Sequence, residues 1–198
     1  MLNELELDKK GNRSWKVTSP PAVEPITLEE VKLFGRIDGS DEDTLITSII
    51  KGVRQKVELY LNKSLIEQTI ELSMDWWNSA EILLPQPPLI SITKVETIDE
   101  DGTATEYDSD NYYTVTESIP GKLVIKKASS LPTNTEREVG GFKITYQAGY
   151  GSTASYVDAV IKNAMMEWAV LQYENRVFDD ELPDEVKKNL RFLRVPNR

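Results

Sequence analysis

The sequence predicts an α+β fold: a helical frame, made of an N-terminal αα-hairpin and C-terminal helices, with an antiparallel β module inserted in it. Three observations predict this. Apolar residues recur at helical spacing from Leu45 to Leu61 and again from Val157 to Leu171. Between these runs the period falls to two, beginning at Ile66. Turn signals rich in Asp, Gly and Pro punctuate that middle region.

The elements follow in order. Residues 1–25 read as an extended arm, because Pro20, Pro21 and Pro25 remove backbone donors and favour an open path. Residues 26–63 form the αα-hairpin. Thr27 and Glu30 have the spacing of a reciprocal capping box, Ile26 and Val31 that of a hydrophobic staple, and Gly35 marks the end of this first helix. A second start is read at Ser40, with Asp41, Glu42 and Asp43 in the first turn, where the helix dipole favours acids. Leu45, Ile46, Ile49, Ile50, Val53, Val57, Tyr60 and Leu61 then share a face, and the helix stops near Asn62.

Residues 64–150 form the β module. Ile66, Gln68, Ile70, Leu72 and Met74 fall on one face of a strand. Further strands are expected at 81–84, 90–98, 103–107, 111–116, 122–126 and 141–147, with Asp101-Gly102 as a hairpin turn. A long helix is assigned to 151–178, with Ser155 and Asp158 as cap-like residues and Val157, Val160, Ile161, Ala164, Met165, Trp168 and Leu171 on one face. Residues 179–198 comprise an acidic loop and a basic tail helix. Residues 26–198 are expected to form one compact domain.

Composition narrows the chemistry. The 198 residues include no histidine and no cysteine. That excludes a Ser-His-Asp triad, an imidazole metal site, a thiolate nucleophile, a disulfide and an iron–sulfur cluster. The formal charge is −10, the reverse of the basic face with which a general nucleic-acid binder displaces counterions. No apolar run is long enough to propose a membrane span, and the acidic start does not resemble a signal peptide, so a soluble protein made in the cytoplasm is expected.

The constellations that resemble active sites fail on spacing. Between Val95 and Ser118 there are eight acids and no Lys or Arg. Asp99 and Asp101 are followed by Gly102 at the fourth position, not at the sixth as a calcium loop requires. Gly149-Tyr-Gly151-Ser-Thr-Ala154 matches a dinucleotide-binding fingerprint in letters, but no second parallel strand follows it. Those glycines are read as releasing the backbone at a strand-to-helix corner. Neither a cofactor nor a catalytic residue is assigned, and the chain is read as not an enzyme.

In order and spacing, several segments resemble the head–tail connector (adaptor) proteins of long-tailed bacteriophages, related prophages and gene-transfer particles. They are Pro25-Ile-Thr-Leu-Glu-Glu-Val-Lys32, Asp41-Glu-Asp43, Leu83 to Val95, the Asp99–Gly102 turn, Asn111-Tyr-Tyr113, Ile144 to Gly151, Ile161-Lys162 and Tyr173-Glu-Asn-Arg176. One departure is Val157-Asp158, where relatives often carry a proline. The resemblance implies a non-enzymatic ring subunit of the virion neck, commonly in twelve copies. Such a subunit sits under the portal protein, extends the DNA channel and presents a platform to a stopper or tail-completion protein. DNA would be near it only transiently and non-specifically, and no membrane is involved. The alternatives are a stopper-type neck ring and, from another class, a carboxylate-dependent hydrolase or calcium-binding module.

Within that reading, Trp15 is a candidate anchor of the arm on a neighbouring subunit. Trp76 and Trp77, one on each side of a strand, are candidate contact residues. The tail residues Leu190, Arg191, Phe192, Leu193 and Arg194 are candidates for docking on the portal ring. Glu96, Asp99, Glu100, Asp101, Asp108 and Asp110 are candidates for an acidic surface facing the channel or the tail.

Overall fold

A computed structural model describes residues 13–133, 137–176 and 181–196. The first twelve residues of the expected arm, Asp179 and Asp180 of the acidic loop, and Arg198 lie outside the described residues. The chain divides into two compact units. A helical unit takes Pro21–Gln68, Gln86–Pro88 and Ala148–Arg198; a sheet unit takes the chain up to Pro20 together with Thr69–Pro85 and Leu89–Gln147.

The helical unit begins with α1 (Leu28–Gly35), and the capping box is complete: Glu30 N donates to Thr27 Oγ1 at 3.1 Å, and Thr27 N donates to Glu30 Oε2 at 2.7 Å. Ile26 and Val31, the expected staple, are both buried in the unit's core. The helix ends where Arg36 turns into the left-handed region. Gly35 allows close approach here, since a Cβ at that position would lie 2.9 Å from Val170 Cγ2. The second helix, α2 (Asp43–Leu61), starts three residues later than Ser40, whose carbonyl instead accepts from Asp43 N in a turn. Asp41 and Glu42 therefore lie before the helix, and only Asp43 meets its dipole. Ile46, Ile49, Ile50, Val53, Val57 and Leu61 are buried on one face, and Asn62 in the left-handed region stops the helix.

The third helix, α3 (Ala159–Asn175), is shorter than the 151–178 segment assigned to it. Asp158 is its cap, accepting from Val160 N at 2.7 Å, while Ser155 sits in a preceding single turn of 3₁₀ helix, Ala154–Tyr156. Its buried face is Ile161, Ala164, Met165, Trp168, Ala169 and Gln172. Val160 and Leu171, expected on that face, are exposed. They sit one position outside the i, i+3, i+4 stripe that starts at Ile161. The short α4 (Asp184–Leu190) inserts Val186 and Leu190 into the same core as α2 and α3.

The sheet unit contains two sheets. The first has five strands in the order β1 (Arg13–Ser19), β2 (Gln68–Met74), β8 (Phe142–Ala148), β4 (Leu89–Ile98), β5 (Ala104–Glu106). The second has the order β3 (Glu81–Leu83), β7 (Lys122–Ile125), β6 (Tyr112–Val115). β2 and β8 alternate strictly between buried and half-buried residues, which places Ile70, Leu72, Met74, Phe142, Ile144 and Tyr146 in the core. Residues 13–19, read as part of an arm, form instead an edge strand antiparallel to β2, with Trp15 opposite Leu72 and Val17 opposite Ile70. All seven residues of β1 are exposed, so backbone pairing and the Lys16–Glu71 ion pair at 2.9 Å hold it rather than burial. That is why apolar patterning did not reveal it.

Candidate functional site

Among the described residues no group of three metal-ligating side chains converges, and no helix is long and apolar enough to cross a membrane. The glycine-rich corner is knitted into the helical unit by its own donors: Gly149 N to Pro88 O at 2.9 Å and Tyr150 N to Leu65 O at 3.3 Å. A pyrophosphate would need those N–H groups. A Cβ at Gly149, where φ is +139°, would stand 2.5 Å from the Ile66 carbonyl carbon, so this glycine serves close chain packing.

In the sheet unit the six candidate acids do different jobs. Asp99 Oδ1 accepts from Thr103 N at 2.7 Å and closes the β4–β5 hairpin; Asp108 Oδ1 accepts from Asp110 N at 2.8 Å and opens a 3₁₀ turn over Ser109–Asn111. Glu96 pairs with Lys94 at 2.8 Å. Glu100, Asp101 and Asp110 are left exposed at turns. The stretch without Lys or Arg in sequence is also met by cations from outside it: Lys126 Nζ donates to Asp110 O at 2.6 Å, and Arg137 Nη1 to Asp99 O at 3.4 Å. Arg137 thus sits at the β4–β5 hairpin tip itself, beside the exposed Glu100 and Asp101.

The two adjacent tryptophans separate as expected, although they follow β2 rather than lie within it. Trp77 is buried edge-on against Phe142, centroids 5.8 Å apart, and its Nε1 has no partner among the described residues. Trp76 is 60% exposed. Trp15 is also exposed, on β1.

The tail folds back on its own unit. Leu190 is fully buried there and Leu193 packs against the same core, so neither can fill a groove elsewhere. Phe192 remains outside, with the Arg191 guanidinium 4.5 Å over its ring, and Arg194 lies 5.3 Å over Tyr60.

Two features were not anticipated. One is a buried polar network around α2. Arg54 Nη1 donates to Glu58 Oε2 at 2.7 Å and Arg54 Nε to Glu24 Oε2 at 2.6 Å, while Glu58 Oε1 accepts from Leu65 N at 2.8 Å. Burial pushes the Glu58 carboxyl above its ordinary value, against the pull of the Leu65 N–H and the Arg54 charge. An Arg and a Glu at i, i+4 flanking Val53, Val57 and Leu61 was the available signal. The other is a groove of about 540 Å³ beside α1, where Leu33 is exposed next to Asp38 and Asp43 of the α1–α2 turn and to Lys32 and Arg36. There Glu42 accepts from the Tyr173 hydroxyl and pairs with Arg176 at 2.5 Å; these bonds hold its carboxyl below the usual range.

A family model described as head completion protein matches residues 24–176. The chain belongs to the head completion protein family. The matched span reaches from the Glu24 end of the buried network to Arg176 at the end of α3, so it includes α1 to α3 and β2 to β8 but neither β1 nor α4. Solved structures agree on the fold. A chain from the neck of an empty gene transfer agent particle, computed with C6 symmetry, superposes with a TM-score of 0.79 at 18% identity, covering 93% of this chain and 97% of that one. A chain from the virion of a native gene transfer agent particle gives 0.78 at 18% identity, over 93% and 96%. One from a native particle neck computed with C12 symmetry gives 0.73 at 18% identity, over 92% and 97%. No curated protein matches. The α+β fold of this head completion protein is thus that of chains found in the necks of phage-like particles.

Proposed function

We propose that this head completion protein is a structural, non-catalytic subunit of the virion neck, the adaptor that forms a ring under the portal protein. In that position it extends the DNA channel and offers a platform to the next tail-completion protein. The observation that carries the reading is the family match over residues 24–176, which spans every described strand and helix from α1 to α3. Its fold is shared end to end with neck chains of gene transfer agent particles, not through one embedded motif.

The physics suits the role. A helical unit closed by its own core presents fixed surfaces for side-by-side assembly, and a ring of identical copies needs only one heterologous interface repeated. The exposed carboxylates of the β4–β5 hairpin, Glu100 and Asp101, face either the channel or the tail. Facing the channel, they repel the DNA backbone and favour sliding over sticking.

Mixing the purified chain with portal-bearing, DNA-filled heads that lack it, then adding the downstream neck protein, tests the adaptor assignment. Binding directly to the heads, before and independently of the downstream protein, is expected. Binding only after another neck protein has joined would make it a stopper-type ring instead.

A further inference from the structure

The helical unit carries two dissimilar surfaces at opposite ends of α2. At the N-terminal end lies the open groove beside α1, lined by Leu28 and Ile37 with Leu33 at its edge, its rim carrying Glu29 and Asp38 beside Lys32 and Arg36. A second hollow of about 380 Å³ continues it past Asp41 and Glu42. Leu33 is 83% exposed, an unusual position for a leucine beside a concave apolar surface. Asp43 is paired with Lys32 and Glu42 with Arg176, but Asp38 and Asp41 make no ion pair among the described residues.

At the C-terminal end of α2 the tail returns: Val195 N donates to Leu61 O at 2.9 Å, and Asn62 Nδ2 to Val195 O at 2.8 Å. This return fixes residues 191–194 and leaves Phe192 79% exposed under the Arg191 guanidinium. Neither Arg191 nor Arg194 forms an ion pair among the described residues. The nineteen residues of α2, at a rise of 1.5 Å each, span about 28 Å from one end to the other.

We infer that Phe192, with Arg191 and Arg194, inserts into the α1 groove of a second copy of this chain, head to tail, the two arginines meeting Asp38 and Asp41. The inference deepens the ring reading and rests on it. A heterologous ring interface requires two different, mutually complementary patches on one rigid subunit, facing different ways. One end offers an aromatic knob with two cations. The other offers a partly apolar hollow flanked by the unpaired carboxylates of Asp38 and Asp41, with Arg36 also on its rim. Burial of the phenyl ring supplies apolar area, and Arg–carboxylate bonds fix the register. The knob is preorganised, because Arg191 already stacks on Phe192 and the segment is tied to α2, so little freedom is lost on docking. An acidic groove on the portal would suit the same knob, but the chain itself displays a matching hollow.

The absence of cysteine makes the test clean. A double variant, Leu33→Cys with Phe192→Cys, is oxidised and run on a non-reducing gel while sedimentation reports its assembly state, alone and on portal-bearing heads. A ladder of covalent oligomers is expected, with each single variant yielding dimers at most. In the full chain, Arg191→Glu is expected to weaken self-association about tenfold, and Asp38→Arg to restore it. Assembly without a ladder, and with Arg191→Glu unaffected, overturns the interface but leaves the ring reading standing. A chain that stays monomeric both in solution and on heads overturns both. If Arg191→Glu assembles normally but no longer joins heads, the knob belongs to the portal and the inference fails.

Discussion

In the helical unit Arg54, Glu58, Lys63, Ser64, Gln68, Gln86 and Gln172 are all buried; among the described residues of the sheet unit no charged or amide side chain is. The sheet unit leaves its carboxylates half-buried or exposed: Asp99 and Asp108 shape turns, and Glu100 and Asp101 stay wet. The helical unit instead binds Glu24, α2 and the chain after α2 into one network through Arg54, Glu58, Ser64 and Gln68. A satisfied buried network rigidifies and specifies one arrangement, at the risk of a large loss when one member goes. The contrast is one of stability: the helical unit depends on a buried network with a fixed arrangement, whereas the sheet unit's charges lie where substitution costs less.

The largest effect should come from Arg54→Met, which strands Glu58 as a buried unpaired carboxylate. A loss of about 3–5 kcal/mol is expected in urea unfolding. Peptide-resolved hydrogen exchange should rise in the helical unit first. A loss below about 1 kcal/mol would mean that the network does not hold the frame.

The second effect is a dependence on pH. The folded value of Glu58 is raised above the ordinary 4.5 by burial, so its contribution is fully present below the unfolded value and is lost as pH rises through the folded one. Relative to Glu58→Gln, the native protein should therefore gain stability as pH falls from 7 toward 5. Glu42 works the other way: its value is lowered by the Tyr173 and Arg176 bonds, so its contribution is present above the unfolded value and lost as pH falls through the folded one. A pH-independent difference between Glu58→Gln and the native chain would remove burial as the cause.

Smaller effects belong to the sheet unit. Tyr146→Phe deletes the hydroxyl that donates to Pro85 O at 2.8 Å and should cost about 1 kcal/mol. Smallest is Lys16→Ala, which removes the exposed lysine paired with half-buried Glu71 at the sheet edge and should cost less than about 0.5 kcal/mol by the same unfolding measurement. Should Lys16→Ala prove as costly as Arg54→Met, the contrast between the units would collapse.

What the sequence made legible was local. The Thr27–Glu30 box, the alternation through Met74, the turn at Asp99–Gly102 and the stop at Asn62 each depend on neighbours within a few residues, and each forms. The start at Ser40 was misplaced because a run of three acids fits several registers of a first turn, and tertiary bonds to Asp43 and Glu42 chose one. β1 was hidden because an edge strand exposed on both faces has no period to detect. Leu190 looked available in an amphipathic tail; which face of a seven-residue helix meets the core is decided by α2 and α3, more than a hundred residues earlier in the case of α2. The groove beside α1 has no signature of its own, since Leu33 is an ordinary helical leucine until its surroundings are known.

The central claim, that this chain works by assembly in a particle neck, is tested most directly by cryo-electron microscopy of tailed particles from cells producing the tagged chain. The account predicts tag density in a closed ring between portal and tail, with untailed heads accumulating when the chain is deleted. Fully tailed, DNA-filled particles that contain no copy of the chain would contradict it.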